Sequence, residues 1–461
     1  MKISVIGCGY LGAVHAACMS SIGHTVIGID TDPLKIAALS TGNAPFHEPG
    51  FDDLLRAELE SGRLSFAVWE DVESLRDVDV HFLAVGTPQV ADGTRADLTY
   101  LNSAVEEICA RGIESSLVVG KSTVPVGTAA RLADTIRSHG GELMWNPEFL
   151  RESHAVADTL HPDRLVYGLP EEGLRAAFAT AVLDEVYAPL IAEGIPRLTT
   201  NLATAELVKT AANAFLATKI SFINAMAEVC EAAGGDVTVL ADAIGYDKRI
   251  GRRFLGAGIG FGGGCLPKDI RAFRTRAEEL GCESSLSFLR NVDDINERRR
   301  QRAIDLAQEI LGSLEGAHIT VLGAAFKPNS DDVRDSPALD VAKRLADAGA
   351  TVTVTDPKAL HNAARVNADL HLCRNTSEAL KNADLVVLAT EWPEYLELDP
   401  AGCAALVASP RMLDARNALD RDTWLEAGWD VHCLGRSLPT EREHPWLKRT
   451  ETPAEGVTIA V

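Results

Sequence analysis

Residues Lys2–Ile6 (KISVI) form an apolar run that ends on Gly7-Cys-Gly-Tyr-Leu-Gly12, and this junction restricts the fold more than any other part of the chain. An alanine-rich stretch follows to Ser21, and a second apolar run, His24–Ile29, ends in Asp30. Strand, GxGxxG, helix, strand and acid, in that order, describe a βαβ unit shaped for a dinucleotide. Gly7 makes the tight turn, Gly9 lets backbone approach a pyrophosphate, and Gly12 allows close packing of helix on strand. The helix N-terminus, at Tyr10 and Leu11, presents free N–H groups and the positive end of its dipole to phosphate. Asp30 stands 18 residues after Gly12, where a carboxylate accepts hydrogen bonds from ribose hydroxyls and repels a 2′-phosphate. NAD is therefore expected rather than NADP.

The α/β alternation continues. Val78–Val85 reads as a strand leading into Gly86-Thr-Pro88, and Ser116–Gly120 as another leading into Lys121-Ser-Thr-Val-Pro-Val-Gly127. Loops after strand C-termini line the ligand crevice of such sheets, so Thr87 and Thr123 are candidates for the cofactor site, or else local turn residues. In Asn146-Pro-Glu-Phe-Leu-Arg-Glu152 the acids Glu148 and Glu152 are four apart and would share one helical face. From about Ala203 to Ala233 apolar residues keep a three-and-four spacing, with further apolar residues on the neighbouring faces. This predicts one long helix, buried nearly all round. Lys209 and Asn213 sit within it one turn apart, and a lysine so placed either points into a site or snorkels to the surface.

Six of the nine residues Gly256–Gly264 are glycine, and Cys265-Leu-Pro-Lys-Asp269 follows at once. Such density suits a tight loop whose backbone approaches a ligand. If a helical turn begins at Cys265, the thiol and Asp269 share a face, with Lys268 beside them, and an activated nucleophile becomes possible. The plainer alternative is an ordinary buried cysteine after a flexible loop. Farther on, His318–Leu322, a linker to Pro337, a helix to Ala348 and Thr351–Thr355 ending in Asp356 repeat the opening plan without GxGxxG. Phe326-Lys-Pro-Asn-Ser-Asp-Asp-Val-Arg-Asp335 stands there instead and suggests a second, nucleotide-shaped ligand.

A chain of 461 residues exceeds one ordinary core. The expected class is α/β: two Rossmann-like doubly wound domains, at 1–199 and 313–440, joined by a central helical domain at 200–312 with one long helix. A charged, poorly ordered tail is expected at 441–461. The net charge of −22 argues against nucleic acid and acidic membrane surfaces as partners. No run reaches the ~18 apolar residues of a membrane span. Nine cysteines without a CxxC pair or zinc-like spacing fit reduced thiols, so a cytoplasmic protein without a metal site is expected.

GCGYLG, GTP, STVPVGT, NPEFLRE, the Lys209–Asn213 helix, GFGGGCLPKD and FKPNSDDVRDSP together resemble the UDP-glucose/GDP-mannose dehydrogenase family, from Lys2 to about Leu434. The resemblance implies a four-electron, NAD-dependent oxidation of a sugar nucleotide's primary alcohol to an acid. A cysteine matching Cys265 would add to the intermediate aldehyde, and the resulting thiohemiacetal would be oxidised to a thioester and hydrolysed. Lys209 and Asn213 would stabilise the oxyanions, Asp269 and Glu148 would move protons, and Thr123 would help place the water. On the cofactor side the resemblance implies Tyr10, Leu11, Lys35, Thr87, Glu152, Lys268 and Arg334. For the nucleotide sugar it implies Glu148, Phe149, Leu150, Glu152, Phe254, Leu255, Gly262, Lys327 and Arg416, with Arg249 reaching a neighbouring subunit's site. A homodimer or larger oligomer is expected. Gly264 stands where many members have serine, and Ala415 where the UDP-glucose branch often has glycine. Pro162-Asp-Arg164 and Asp414-Ala-Arg-Asn417 favour UDP-glucose over GDP-mannose or a UDP-N-acetylhexosamine. A two-electron dehydrogenase or a silent sensor on the same fold are the competing classes, separated by NADH stoichiometry.

Overall fold

The computed structural model describes residues 1–436 apart from 92, 171 and 172, so the tail expected at 441–461 lies outside the described residues. The first sheet comprises β1 (Lys2–Ile6), β2 (Thr25–Asp30), β3 (Leu64–Val68), β4 (Val80–Leu83), β5 (Leu117–Gly120), β6 (Glu142–Trp145), β7 (Leu165–Leu169) and β8 (Arg197–Asn201). Their spatial order is β3-β2-β1-β4-β5-β6-β7-β8, and every neighbouring pair is parallel except β6 with β7. The central strands VHFL, LVVG and ELMW are buried at every position and apolar except for His81 and Glu142, as expected of strands covered on both faces. The reversal of strand order between β1 and β4 opens the crevice in which doubly wound sheets bind ligands.

The second sheet has β9 (His318–Leu322), β10 (Thr351–Thr355), β11 (His371–Leu372), β12 (Leu385–Leu388), β13 (Arg411–Asp414) and β14 (Asp430–Cys433), all parallel, in the order β11-β10-β9-β12-β13-β14. It repeats the order of the first six strands, as the internal echo in the sequence predicts. The echo extends to one hydrogen bond. Asp30 Oδ2 accepts from the Cys8 N–H at 2.7 Å, and Asp356 Oδ2 accepts from the Ala324 N–H at 2.7 Å. Asp356 also accepts from Trp392 Nε1 at 3.1 Å and is buried, so the second sheet's acid is engaged inside the protein.

Helices lie between the sheets. The long one, Leu202–Ala233, is capped by the Asn201 side chain on the Thr204 N–H and closed by Gly234 in the left-handed region. Two others, Leu266–Glu279 and Phe288–Leu311, pack against it. The all-round burial expected for the long helix is not found. Its inward face carries mostly small and polar residues, among them Ala205, Lys209, Asn213, Ala217, Asn224 and Ala227, which let neighbouring helices approach closely. Phe215, Phe222 and Val229 face outward and are 66%, 49% and 57% exposed. The helical face expected at 146–152 is also absent. That segment is an irregular loop leaving β6, and Pro147 disfavours the helical region for Asn146 before it.

Among the described residues no helix is long and apolar enough to cross a membrane.

Candidate functional site

Cys265 is the residue at which the glycine loop becomes a helix: it caps Leu266–Glu279, and the Asp269 N–H donates to its carbonyl at 2.9 Å. Several of the loop's glycines make room for the protein's own atoms. A Cβ on Gly258 would lie 2.6 Å from the Ala415 carbonyl, on Gly260 2.3 Å from Asn296 Oδ1, and on Gly262 2.1 Å from the Asp335 carbonyl. Gly263 has φ +83° and packs on the Phe326 ring. Four of the loop N–H groups are engaged within the protein: Gly258 donates to Asn224 Oδ1 (2.9 Å), Ile259 to the Ala415 carbonyl (3.1 Å), Phe261 to Asn296 Oδ1 (2.8 Å) and Gly263 to the Arg334 carbonyl (2.8 Å). Residues from the long helix, from Phe288–Leu311 and from the second sheet's loops thus fix the backbone that carries the thiol.

Around Cys265 the predicted polar residues converge. Lys209 and Asn213 lie one turn apart on the buried face of the long helix. Lys209 Nζ meets Glu148 Oε1 at 2.9 Å, Asn213 Nδ2 donates to Asp269 Oδ2 at 2.6 Å, and Lys268 Nζ lies 2.7 Å from Asp269 Oδ1. Burial works against the Lys209 charge, but Glu148, Cys265 and Asp269 outweigh it and hold the ammonium above its ordinary pKa. The thiol behaves otherwise. Although the residue is exposed, desolvation and the Asp269 carboxylate push it up to about 11, with Lys209 pulling only partly the other way. The helix N-terminus and nearby lysines that would activate a thiol are offset by three carboxylates, Asp269, Glu148 and Glu152.

A cleft of about 410 Å³ opens beside this group and takes in Glu148, Phe149, Leu150, Lys209, Asn213 and Phe254. Phe254 has φ +64°, a strained conformation for a bulky residue and one that tends to mark ligand sites. Four cationic residues outside the candidates drawn from sequence also line it: Lys121, Arg151, Arg164 and Arg253. Arg164 lies 3.8 Å over the Phe149 ring, and its place in the Pro162-Asp-Arg164 run was the available signal. Lys121, which burial lowers to about 8, donates to Asn146 Oδ1 at 3.0 Å. Its position directly before Ser122-Thr123 marked it only weakly.

Other predicted substrate residues sit apart from that cleft. Leu255 is buried in a small core with Ile223 and Ala257, and Gly262 packs on Asp335. Arg416 donates from Nε to the Ala389 carbonyl (2.7 Å) and from Nη1 to the Gly260 carbonyl (2.9 Å), holding the glycine loop. Arg249 extends into solvent, paired with Asp247 at 2.6 Å, and does not line its own chain's cleft. Lys327 donates to the Glu152 carbonyl.

On the cofactor side Gly7 has φ +90°, and a Cβ on Gly12 would lie 1.7 Å from the Gly7 carbonyl, while one on Gly9 would meet nothing within 4 Å. The turn therefore requires its glycines and leaves open space before Tyr10 and Leu11, as a pyrophosphate requires. Asp30, at the end of β2, also receives the Asp32 N–H (3.0 Å) and Lys35 Nζ (2.9 Å). Thr87 Oγ1 donates to the Thr123 carbonyl at 2.7 Å, tying two of the crevice loops together. Tyr10 OH bonds Glu48 and accepts the Ser153 N–H at 2.9 Å. Glu152 meets Arg334 at 3.2 Å across the gap between the two sheets. Burial and Asp332 raise Glu152 to about 7 against the pull of Arg334 and Lys327. Arg334 fills the space beside Gly264, where a Cβ would lie 2.3 Å from its guanidinium carbon. These residues fit a dinucleotide laid from Asp30 across the helix N-terminus toward Cys265.

Comparison with known proteins agrees along the chain. Residues 1–191 match the NAD binding domain of the UDP-glucose/GDP-mannose dehydrogenase family, residues 203–298 its central domain and residues 320–421 its UDP binding domain. The chain is 40% identical to UDP-glucose 6-dehydrogenase of Rhizobium meliloti (strain 1021), over 95% of this chain and 100% of that protein. It is 38% identical to UDP-glucose 6-dehydrogenase TuaD of Bacillus subtilis (strain 168), over 98% and 97%. Among solved structures, a UDP-glucose dehydrogenase from the hyperthermophilic archaeon Pyrobaculum islandicum superposes with a TM-score of 0.83 at 38% identity, covering 94% of this chain and 96% of that one. In sequence, fold and the ordering of its three segments, this chain belongs to the UDP-glucose/GDP-mannose dehydrogenase family.

Proposed function

We propose that the protein oxidises the C6 alcohol of UDP-glucose to the carboxylate of UDP-glucuronate, with a thiohemiacetal and then a thioester on Cys265. The observation that carries this reading is the convergence of Lys209, Asn213, Asp269 and Glu148 on one thiol, in a chain 38–40% identical to UDP-glucose 6-dehydrogenases over nearly its full length. Bound NAD supplies the hydride acceptor for each of the two oxidations. The Lys209 ammonium and the Asn213 amide stabilise the oxyanion at C6. Asp269 and Glu148 take and return protons, and Thr123 helps to hold the hydrolytic water. With the thiol near 11 in the free site, deprotonation accompanies attack on the aldehyde, and the proton passes to a neighbouring carboxylate. Arg164, Arg253 and the Phe149 ring suit the anionic, planar parts of a nucleotide sugar.

The domain division at 1–199, 200–312 and 313–440 belongs to the same proposal. So does a homodimer: Phe215, Phe222 and Val229 recur every seven residues on the open face of the long helix, and Arg249 is free to reach a partner's cleft. All nine cysteines stand as thiols, which supports a reducing, cytoplasmic setting. The test is NADH stoichiometry with UDP-glucose, GDP-mannose and UDP-N-acetylglucosamine. Two NADH per UDP-glucose, and none of the acid from a Cys265→Ala variant, are expected. One NADH per substrate, or an undiminished Cys265→Ala enzyme, defeats the proposal, and preference for another nucleotide sugar replaces the substrate.

A further inference from the structure

Behind Asp269 lies a second cavity system that shares no lining residue with the 410 Å³ cleft. Its inner part is a chamber of about 20 Å³ walled by Thr123, Thr210, Lys268 and Asp269 among others. That volume holds one water, and the four polar side chains offer the two to four partners that a buried water needs. The Asn213–Asp269 hydrogen bond, 2.6 Å, stands between chamber and cleft: Asn213 lines one and Asp269 the other. The outer part is a surface cleft of about 420 Å³ between the start of helix Thr128–Ser138 and helix Leu266–Glu279. Ala96, Pro125, Val126, Ala272 and Arg276 wall both parts. Two of these are alanines, and Arg276 is held to the loop edge by donating to the Val126 carbonyl at 2.9 Å while pairing with Glu279 at 2.7 Å.

We propose that this system is a rear water route: the water that hydrolyses the thioester enters through the outer cleft and the chamber, and its proton leaves the same way. The inference rests on the thioester reading above. At the thioester stage the nucleotide sugar occupies the cleft lined by Glu148, Lys209 and Asn213, which protects the intermediate but also keeps water from that side. Water from the chamber attacks the thioester carbonyl carbon and the carbon–Sγ bond breaks. Asp269 takes one water proton and returns it to the departing thiolate. The other stays on the new carboxyl group, ionises, and exits through the chamber. Atoms and electrons balance without a further reactant.

The test narrows the junction from two sides, with Ala272→Leu and separately Ala96→Leu, and uses Ala272→Ser as the control. Neither alanine belongs to the machinery described above. With UDP-glucose in rapid mixing, the first NADH should form at the parental rate in both leucine variants. Steady-state turnover should fall tenfold or more, and mass spectrometry of the quenched reaction should show a UDP-sugar thioester accumulating on the Cys265 peptide. Ala272→Ser should behave as the parent. Parental turnover without an accumulating adduct in both leucine variants overturns the route. Equal loss of both oxidations overturns it too, since a water route must affect hydrolysis selectively. A parent enzyme that releases only one NADH per UDP-glucose would instead be failure of the underlying function, and is seen before any variant is made.

Discussion

Asn296 holds Phe261 of the glycine loop from both sides: its Oδ1 accepts the Phe261 N–H at 2.8 Å and its Nδ2 donates to the Phe261 carbonyl at 2.9 Å. The side chain is fully buried and sits where a Cβ on Gly260 would be. For Phe261, four residues before the thiol, it does what a neighbouring strand does in a sheet.

Asn296→Ala should leave the Phe261 N–H buried without a partner, while the Phe261 carbonyl keeps only Arg300 Nη2 at 3.3 Å. At about 1–3 kcal/mol for an unsatisfied group, the loss of stability should be of that size, read as a lower denaturant midpoint. Turnover should fall with it. An alanine variant with parental midpoint and parental kcat would show that the clamp is dispensable.

The reactivity of Cys265 should follow its surroundings. A thiol near 11 is ionised only to about one part in a thousand at pH 8, against about a quarter for an ordinary thiol. Raising a thiol pKa lowers the thiolate fraction at every pH below it. Inactivation of the free enzyme by iodoacetamide should therefore rise about tenfold per pH unit from 7 to 10, without a plateau. Asp269→Asn removes the second-largest cause of the shift and should speed alkylation at pH 8. A plateau near pH 8 in the parent would contradict the electrostatic account.

Asp30 gives a third test. It orders the Gly7–Gly9 turn through the Cys8 N–H and is itself paired with Lys35. Asp30→Ala should weaken NAD binding by about 10–30-fold, or about 1.4–2 kcal/mol, and narrow the preference against NADP. Fluorescence titration with both dinucleotides measures this. Unchanged NAD affinity and unchanged discrimination would remove Asp30 from the cofactor site.

For the assembly, Phe222→Asp combined with Val229→Asp places charge on the open face of the long helix and should convert a dimer to monomers in light scattering. Arg249→Ala should keep the dimer and lose activity. Mixing it with Cys265→Ser chains should restore some activity if Arg249 serves the partner's cleft. A parent that is an active monomer would end both claims.

Much of the first βαβ unit could be read from sequence because its determinants are local. Gly7, Gly9, Gly12 and Asp30 are tied to one another within thirty residues by steric and hydrogen-bonding needs. The pairing of Cys265 with Asp269 is legible from their four-residue spacing, and a lysine in a buried helix points to a partner, but that Lys209 and Asn213 meet this thiol follows in sequence only from the family resemblance. What lay hidden depends on distant partners. Nothing near Gly260 announces Asn296, and nothing near Arg416 says that it holds the Gly260 carbonyl. The long helix was misread because apolar spacing reports a face that will be covered but not by what. Phe215, Phe222 and Val229 face outward, and its buried face is mostly small and polar, with Ile223 the one large apolar residue fully buried there. In the loop at 146–152 the two acids have separate partners, Lys209 for Glu148 and Arg334 for Glu152, in place of a shared helical face.

The clamps on the glycine loop also set an order of events at the ribosome. Cys265 emerges before Asn296, Arg299, Ala415 and Arg416, each of which holds a part of that loop. Until the second sheet has formed, the nascent chain carries this cysteine without the backbone geometry that aims it. The thiol acquires its setting only when residues some 150 positions downstream have docked.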